Sequence, residues 1–186
     1  KDEAINQMEL DIDQDCLRIL ARRQPAASDL RLVVSISKII VDLERIGDES
    51  SKIAKRALDL VEEGQAPRGY VECRHIGHHV RRMVQEALDA FARMDTEQAF
   101  AVAREDKAVD QEYKTAMREM VTFMMEDPRS IGRVLNILWV LRSLERVGDH
   151  ARNIAEHVIY LVKGTDVRHI GLKRMEAEVK KDGADE

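Results

Sequence analysis

The sequence predicts an all-α fold: a tandem repeat of two three-helix bundles, with the first helix of the first repeat missing from this chain. Three observations carry that reading. Charged residues make up 35 % of the 186 positions and aromatics only 4 %. A typical domain is roughly 25 % charged, and sheet proteins need aromatic and β-branched strands with frequent turns. The three prolines each fall in a short break between long periodic stretches. A six-residue segment also occurs twice, 101 positions apart: Leu43-Glu44-Arg45-Ile46-Gly47-Asp48 and Leu144-Glu145-Arg146-Val147-Gly148-Asp149.

The elements follow in order. The first helix runs from the start of the chain to about Arg23, where Pro25 interrupts it. The second spans about Ala26 to Glu63, with Gly64 as its stop. The third covers roughly Tyr70 to Met94, beyond the break at Pro67. Asp95 followed by Gln98 resembles a capping box and opens the fourth, which ends near Glu126 before Pro128. The fifth spans about Ser130 to Lys163 and is closed by Gly164. The mixed-charge tail from Thr165 to Glu186 is expected to continue as a frayed helix.

The repeat sorts these helices. At the 101-residue offset, Ile36, Ile53, Ala54, Leu60 and Val61 answer Ile137, Ile154, Ala155, Leu161 and Val162. At an offset of 104, Asp2-Glu3-Ala4-Ile5-Asn6-Gln7 answers Asp106-Lys107-Ala108-Val109-Asp110-Gln111. Helices one and two therefore correspond to helices four and five. The third helix has no counterpart, because its equivalent would precede Lys1. The expected division is residues 1–66 as the first repeat, 67–164 as the second and 165–186 as a tail.

Within the fifth helix, Val134, Ile137, Leu141, Leu144, Gly148, Ala155, Ile159 and Val162 form one apolar stripe, widened by Val140, Val147, Ile154 and Leu161. A face this wide suits two packing partners. Gly47 and Gly148 lie inside the stripes, where Gly costs about 1 kcal/mol relative to Ala. Close helix approach is the expected reason.

Carboxylates lie beside the same stripes. Glu44 and Asp48 are one turn apart, as are Glu145 and Asp149, so each pair stacks on one helix face. In the fourth helix Asp106 and Asp110 interrupt a seam of Ala99, Ala103, Tyr113, Met117, Met120 and Met124. A carboxylate pair on a buried seam is self-repelling and costly to desolvate, so a divalent cation, an arginine or water must neutralise it. Convergent i, i+4 carboxylates on neighbouring helices can bind a cation through oxygen. In the first repeat Asp2 is matched, but Asn6 replaces the second acid. His75 and His79 are expected at the surface. His150 and His157 either supplement a metal shell or sit near the helix surface.

Other classes are excluded or disfavoured. The net charge of −5 marks no nucleic-acid partner. No stretch approaches the ~18 apolar residues of a membrane span, and the opening Lys-Asp-Glu-Ala is not the start of a secretory signal. Cys16 and Cys73 are isolated thiols, expected as small buried side chains in a reducing compartment. No phosphate-binding Gly loop, GxSxG or HExxH is present, so no catalysis is expected. A ferritin-like di-iron enzyme needs two Glu-x-x-His motifs on different helices, and only Glu72-Cys73-Arg74-His75 fits.

The twin Leu-Glu-Arg-x-Gly-Asp segments, together with Pro25-Ala26-Ala27-Ser28-Asp29-Leu30-Arg31 and Asp166-Val167-Arg168-His169, resemble the PhoU family over Lys1 to about His169. The resemblance implies a PhoU-like, spectrin-repeat-like pair of bundles. It implies a non-catalytic negative regulator of phosphate uptake and of the phosphate-starvation response. Such proteins act in the cytoplasm as homodimers, without membrane insertion, between the ATPase subunit of the phosphate ABC transporter and a sensor histidine kinase. The resemblance also implies divalent or iron-type metal ions at E(D)xxxD motifs, here Glu44 with Asp48, Asp106 with Asp110 and Glu145 with Asp149, with Asp2 as a half-match. Phosphate status is expected to arrive through partners. The alternative is a metal-binding helical scaffold without a phosphate-signalling role.

Overall fold

The structure, a computed structural model, describes residues 2–62 and 70–181. Its helices are α1 (Asp2–Arg23), α2 (Ala27–Glu62), α3 (Tyr70–Arg93), α4 (Thr96–Glu126), α5 (Ile131–Lys163) and α6 (Leu172–Lys180). The expected stops at Gly64 and Pro67 lie outside the described residues. A 3₁₀ turn, Pro128–Ser130, leads into α5. Proline suits that first turn because its missing N–H would have no helical partner there.

Two helix ends follow the sequence rules closely. The Asp95 carboxylate accepts from the Gln98 N–H at 2.9 Å, satisfying one of the unpaired donors at the start of α4. At the end of α5, Gly164 takes φ +73°, and its N–H donates to the Tyr160 carbonyl at 2.8 Å. Arg31 completes that end: its Nε donates to the Leu161 carbonyl at 3.3 Å. A guanidinium beside the last carbonyls of a helix both satisfies an acceptor and offsets the negative end of the dipole. This gives Arg31, in the segment after Pro25, a concrete structural task.

The central helix is α5, packed against α2 on one side and α3 and α4 on the other. Of its expected stripe, Ile137, Leu141, Ile154, Ala155 and Ile159 are fully enclosed, Val158 joins them from outside it, and Val162 at its end is exposed. From α3 it meets Ile76, Val80, Met83, Ala87 and Ala90, spaced four and three residues apart. From α4 come Ala99, Val102, Ala103, Val109, Ala116 and Met120.

The two repeat-equivalent long helices, α2 and α5, run antiparallel. Asp42 meets His150, and Arg56 meets Asn136. Between them Glu49 meets Ser143. Each advance of seven along α2 is a retreat of seven along α5. At the 101-residue offset, Asp42 corresponds to Ser143 and Glu49 to His150. The seam is thus pseudo-symmetric, and each repeat supplies both halves of the same exchange.

The tail corrects an expectation. Among its described residues the helical part, Leu172–Lys180, is docked rather than frayed: Met175 and Val179, one turn apart, are buried where α6 packs on α4 and α5.

Candidate functional site

Four of the expected carboxylates come together where α4 crosses α5. Asp106 and Glu145 are buried, Asp110 is half-buried and Asp149 reaches the exposed rim. Burial pushes the Asp106 carboxyl above its ordinary range despite the Arg152 guanidinium, with Asp110 adding to the rise. Burial also raises Glu145, followed by the charge of Asp149; Arg142 opposes this and Asp110 and Asp106 reinforce it. For Asp149 the surrounding protein comes first, then Asp106 and Asp110. The acids therefore feel one another across the helix boundary, as like charges in a partly dry site must.

The chain supplies part of the neutralisation. Arg152 Nη1 donates to Asp106 Oδ2 at 3.1 Å and its Nε to Glu156 Oε1 at 2.9 Å. Arg142 Nη1 donates to Glu145 Oε1 at 2.7 Å. The other oxygen, Glu145 Oε2, is buried without a hydrogen-bond partner. An unsatisfied buried carboxylate oxygen is costly.

The first repeat does not reproduce this arrangement. Glu44 is half-buried and lies 3.6 Å from the adjacent Arg45. Asp48 is also half-buried, while Asn6, the counterpart of Asp110, is exposed. Asp2 opens α1, but its side chain lies outside the described residues. A Cβ on Gly47 would approach Ile5 Cδ1 to 3.3 Å, the close approach expected there. At Gly148 the nearest atoms, on Val80 and Val109, stand at 3.5 Å, so a methyl fits. Close approach accounts for Gly47 and not for Gly148.

Two buried acids of α2, Asp42 and Glu49, escaped the sequence reading. Asp42 Oδ1 is held by His150 Nδ1 at 2.8 Å and by the Asn153 amide at 3.1 Å, with His157 nearby. Burial holds the His157 pKa below its ordinary value, with Asp42 opposing. Glu49 accepts from Lys52 at 2.9 Å and lies 3.0 Å from Arg146. The available signal was positional: Asp42 and Glu49 are seven residues apart on the face of α2 that meets α5. His79 is a further correction. Rather than lying at the surface, it is nearly enclosed between α3 and α4, 2.7 Å from Glu105 and 3.1 Å from Glu112. His75 is exposed, as expected. Both cysteines are free, and burial pushes the Cys73 thiol up to about 12, leaving little nucleophilic thiolate.

The all-oxygen donor set and the unpaired Glu145 oxygen fit a hard or iron-type cation chemically. Among the described residues, no group of three or more His, Cys, Asp or Glu side chains is arranged to hold an ion. Arg142 and Arg152 hold two of the four carboxylates instead.

The repeated segments, the α2–α5 seam and the acidic crossing lie within the region matched by a family model. The PhoU domain model covers residues 1–57 and 73–158. The chain belongs to the PhoU family. It is 73 % identical over 178 residues to the phosphate-specific transport system accessory protein PhoU homolog of Pseudomonas aeruginosa, spanning 96 % of this chain and 74 % of the relative. The PhoU protein of Escherichia coli K12, with the same accessory-protein name, is 50 % identical over 91 % of this chain and 70 % of its own length. The crystal structure of PhoU from Pseudomonas aeruginosa superposes with a TM-score of 0.87 at 72 % identity, over 88 % of this chain and 78 % of that one. The phosphate transport system regulatory protein PhoU from Streptococcus pneumoniae superposes at 0.81 with 35 % identity, over 90 % and 78 %. The PhoU fold is therefore all-α here too, and no helix among the described residues is long and apolar enough to cross a membrane.

Proposed function

We propose that this chain is a non-catalytic regulator of phosphate uptake that restrains the phosphate-starvation response when phosphate is plentiful. It acts as a cytoplasmic, homodimeric adaptor between the ATPase subunit of the phosphate ABC transporter and a sensor histidine kinase. The observation that supports this reading most strongly is the match of both repeats to the PhoU domain. Relatives named as accessory proteins of phosphate-specific transport add to it. Deleting the gene is expected to switch on phosphate-starvation genes in high phosphate. Genes that stay repressed after deletion would contradict the proposal.

Metal binding is the second component. Asp106, Asp110, Glu145 and Asp149 are the residues that would hold a divalent or iron-type ion. A bound cation would supply positive charge where three of these acids are pushed toward protonation. Pull-down with the transporter ATPase and the kinase, using wild type and Glu145→Ala/Asp149→Ala, separates the roles. Retained partners with lost metal make the ion structural, whereas loss of both ties it to signalling.

A further inference from the structure

The α2–α5 seam carries a groove of about 380 Å³ whose character is opposite to that of the acidic crossing. Lys52 and Arg56 from α2 and Arg142 and Arg146 from α5 line it, with Trp139 at the same wall. Glu49 is the single carboxylate in the lining, and it is buried. Four cationic side chains line the groove against one lining carboxylate, although Arg56 and Arg142 also pair with Asp59 and Glu145 outside the lining.

The existing ion pairs leave donor capacity. Lys52 Nζ donates to Glu49 at 2.9 Å, Arg56 reaches Asp59 and Asn136 through Nη1, Arg142 reaches Glu145 through Nη1, and Arg146 lies against Glu49 through Nη1. Each guanidinium carries five N–H donors in a planar fork, a geometry suited to phosphoryl oxygens. Trp139 is 58 % exposed, although an indole is among the most favourable side chains to cover. A flat aromatic surface beside arginine and lysine matches a ligand that combines a planar ring with negative charge.

We propose that this groove binds a nucleotide, with its phosphoryl groups on Lys52, Arg56 and Arg146 and its base against Trp139. The phosphoryl anion is the shared chemistry, and a free phosphate ion is the other source of it. The indole is what favours the ring-bearing source.

Trp139 is the one tryptophan in the sequence, so its emission reports directly on the groove. The full chain is titrated with ADP and separately with inorganic phosphate, following that emission with correction for nucleotide absorbance, and calorimetry repeats both titrations. The expected result is saturable binding of ADP, at least tenfold tighter than phosphate and weakened by added salt. Lys52→Gln/Arg56→Gln, with unchanged helix content by circular dichroism, is expected to weaken ADP at least tenfold. If that pair loses helix content, Arg56→Gln alone is expected to weaken ADP at least threefold. Absence of saturable ADP binding, equal affinity for phosphate and ADP, or unchanged ADP affinity in the variants would overturn the proposal.

Discussion

The two copies of the Leu-Glu-Arg-x-Gly-Asp segment have nearly the same local sequence and different surroundings. In the second repeat, Glu145 and Asp149 face Asp106 and Asp110 across a helix boundary, and burial, with their mutual repulsion added, raises Asp106, Glu145 and Asp149. In the first repeat, Glu44 and Asp48 face a helix whose matching position is Asn6. The second repeat also sits in a denser core. α3, α4 and α5 enclose most of the large buried side chains, whereas Cys16 is the one buried side chain that α1 contributes among the described residues. A carboxylate motif on one helix is therefore half a site, and the residue two helices pair against it decides whether the charge is strained.

The largest expected difference between the repeats lies in their arginines. Arg152 bridges two buried acids, Asp106 and Glu156. Arg152→Ala leaves both without that partner and should cost about 3 kcal/mol, allowing for the partial exposure of the guanidinium. Arg45 is exposed beside Glu44, so Arg45→Ala should change stability by less than about 0.5 kcal/mol. Urea unfolding of both variants measures the contrast, and equal losses would break it.

The glycines give a smaller difference of the opposite kind. Gly148→Ala gains helix propensity and finds room, so it should stabilise by up to about 1 kcal/mol, or about 2–4 °C in Tm. Gly47→Ala must displace Ile5 Cδ1 and should come out near zero. Thermal melts that rank the two the other way would show that the packing around the segments has been misassigned.

The smallest effect is a pH dependence. The folded values of Asp106, Glu145 and Asp149 are raised, so their contribution to stability is most favourable below the unfolded carboxylate range and is lost as pH rises through the folded values. Asp149→Asn should therefore match wild type in acid and become the more stable protein toward neutrality. Melting curves of wild type and Asp149→Asn across the carboxylate range provide the check, and a constant offset for Asp149→Asn would remove the electrostatic explanation.

Much of this was legible in the sequence because it is local. Asp95 with Gln98 marks a helix start whatever surrounds it, and Gly164 marks an end because few other residues accept its backbone. The seam of α4 also showed that Asp106 needed a counter-charge, and Arg152 supplies one. What escaped depends on a second element. α6 buries two side chains in nine residues, a pattern shared with solvated helices until α4 lies beneath it. His79 reads as a surface residue on its own helix, since Glu105 and Glu112 arrive from α4. Asp42 and Glu49 are two of 35 acids, and only the antiparallel register of α2 against α5 distinguishes them.

The contrast between the repeats is tested most directly by loading the chain with ferrous, manganous or zinc ions, removing the excess and determining bound metal by elemental analysis. Wild type and Glu44→Ala/Asp48→Ala are expected to retain equal amounts of metal, while Glu145→Ala/Asp149→Ala retains little or none. Equal retention by all three proteins, or loss confined to the Glu44→Ala/Asp48→Ala protein, would contradict the proposal that an ion binds at the crossing of α4 and α5.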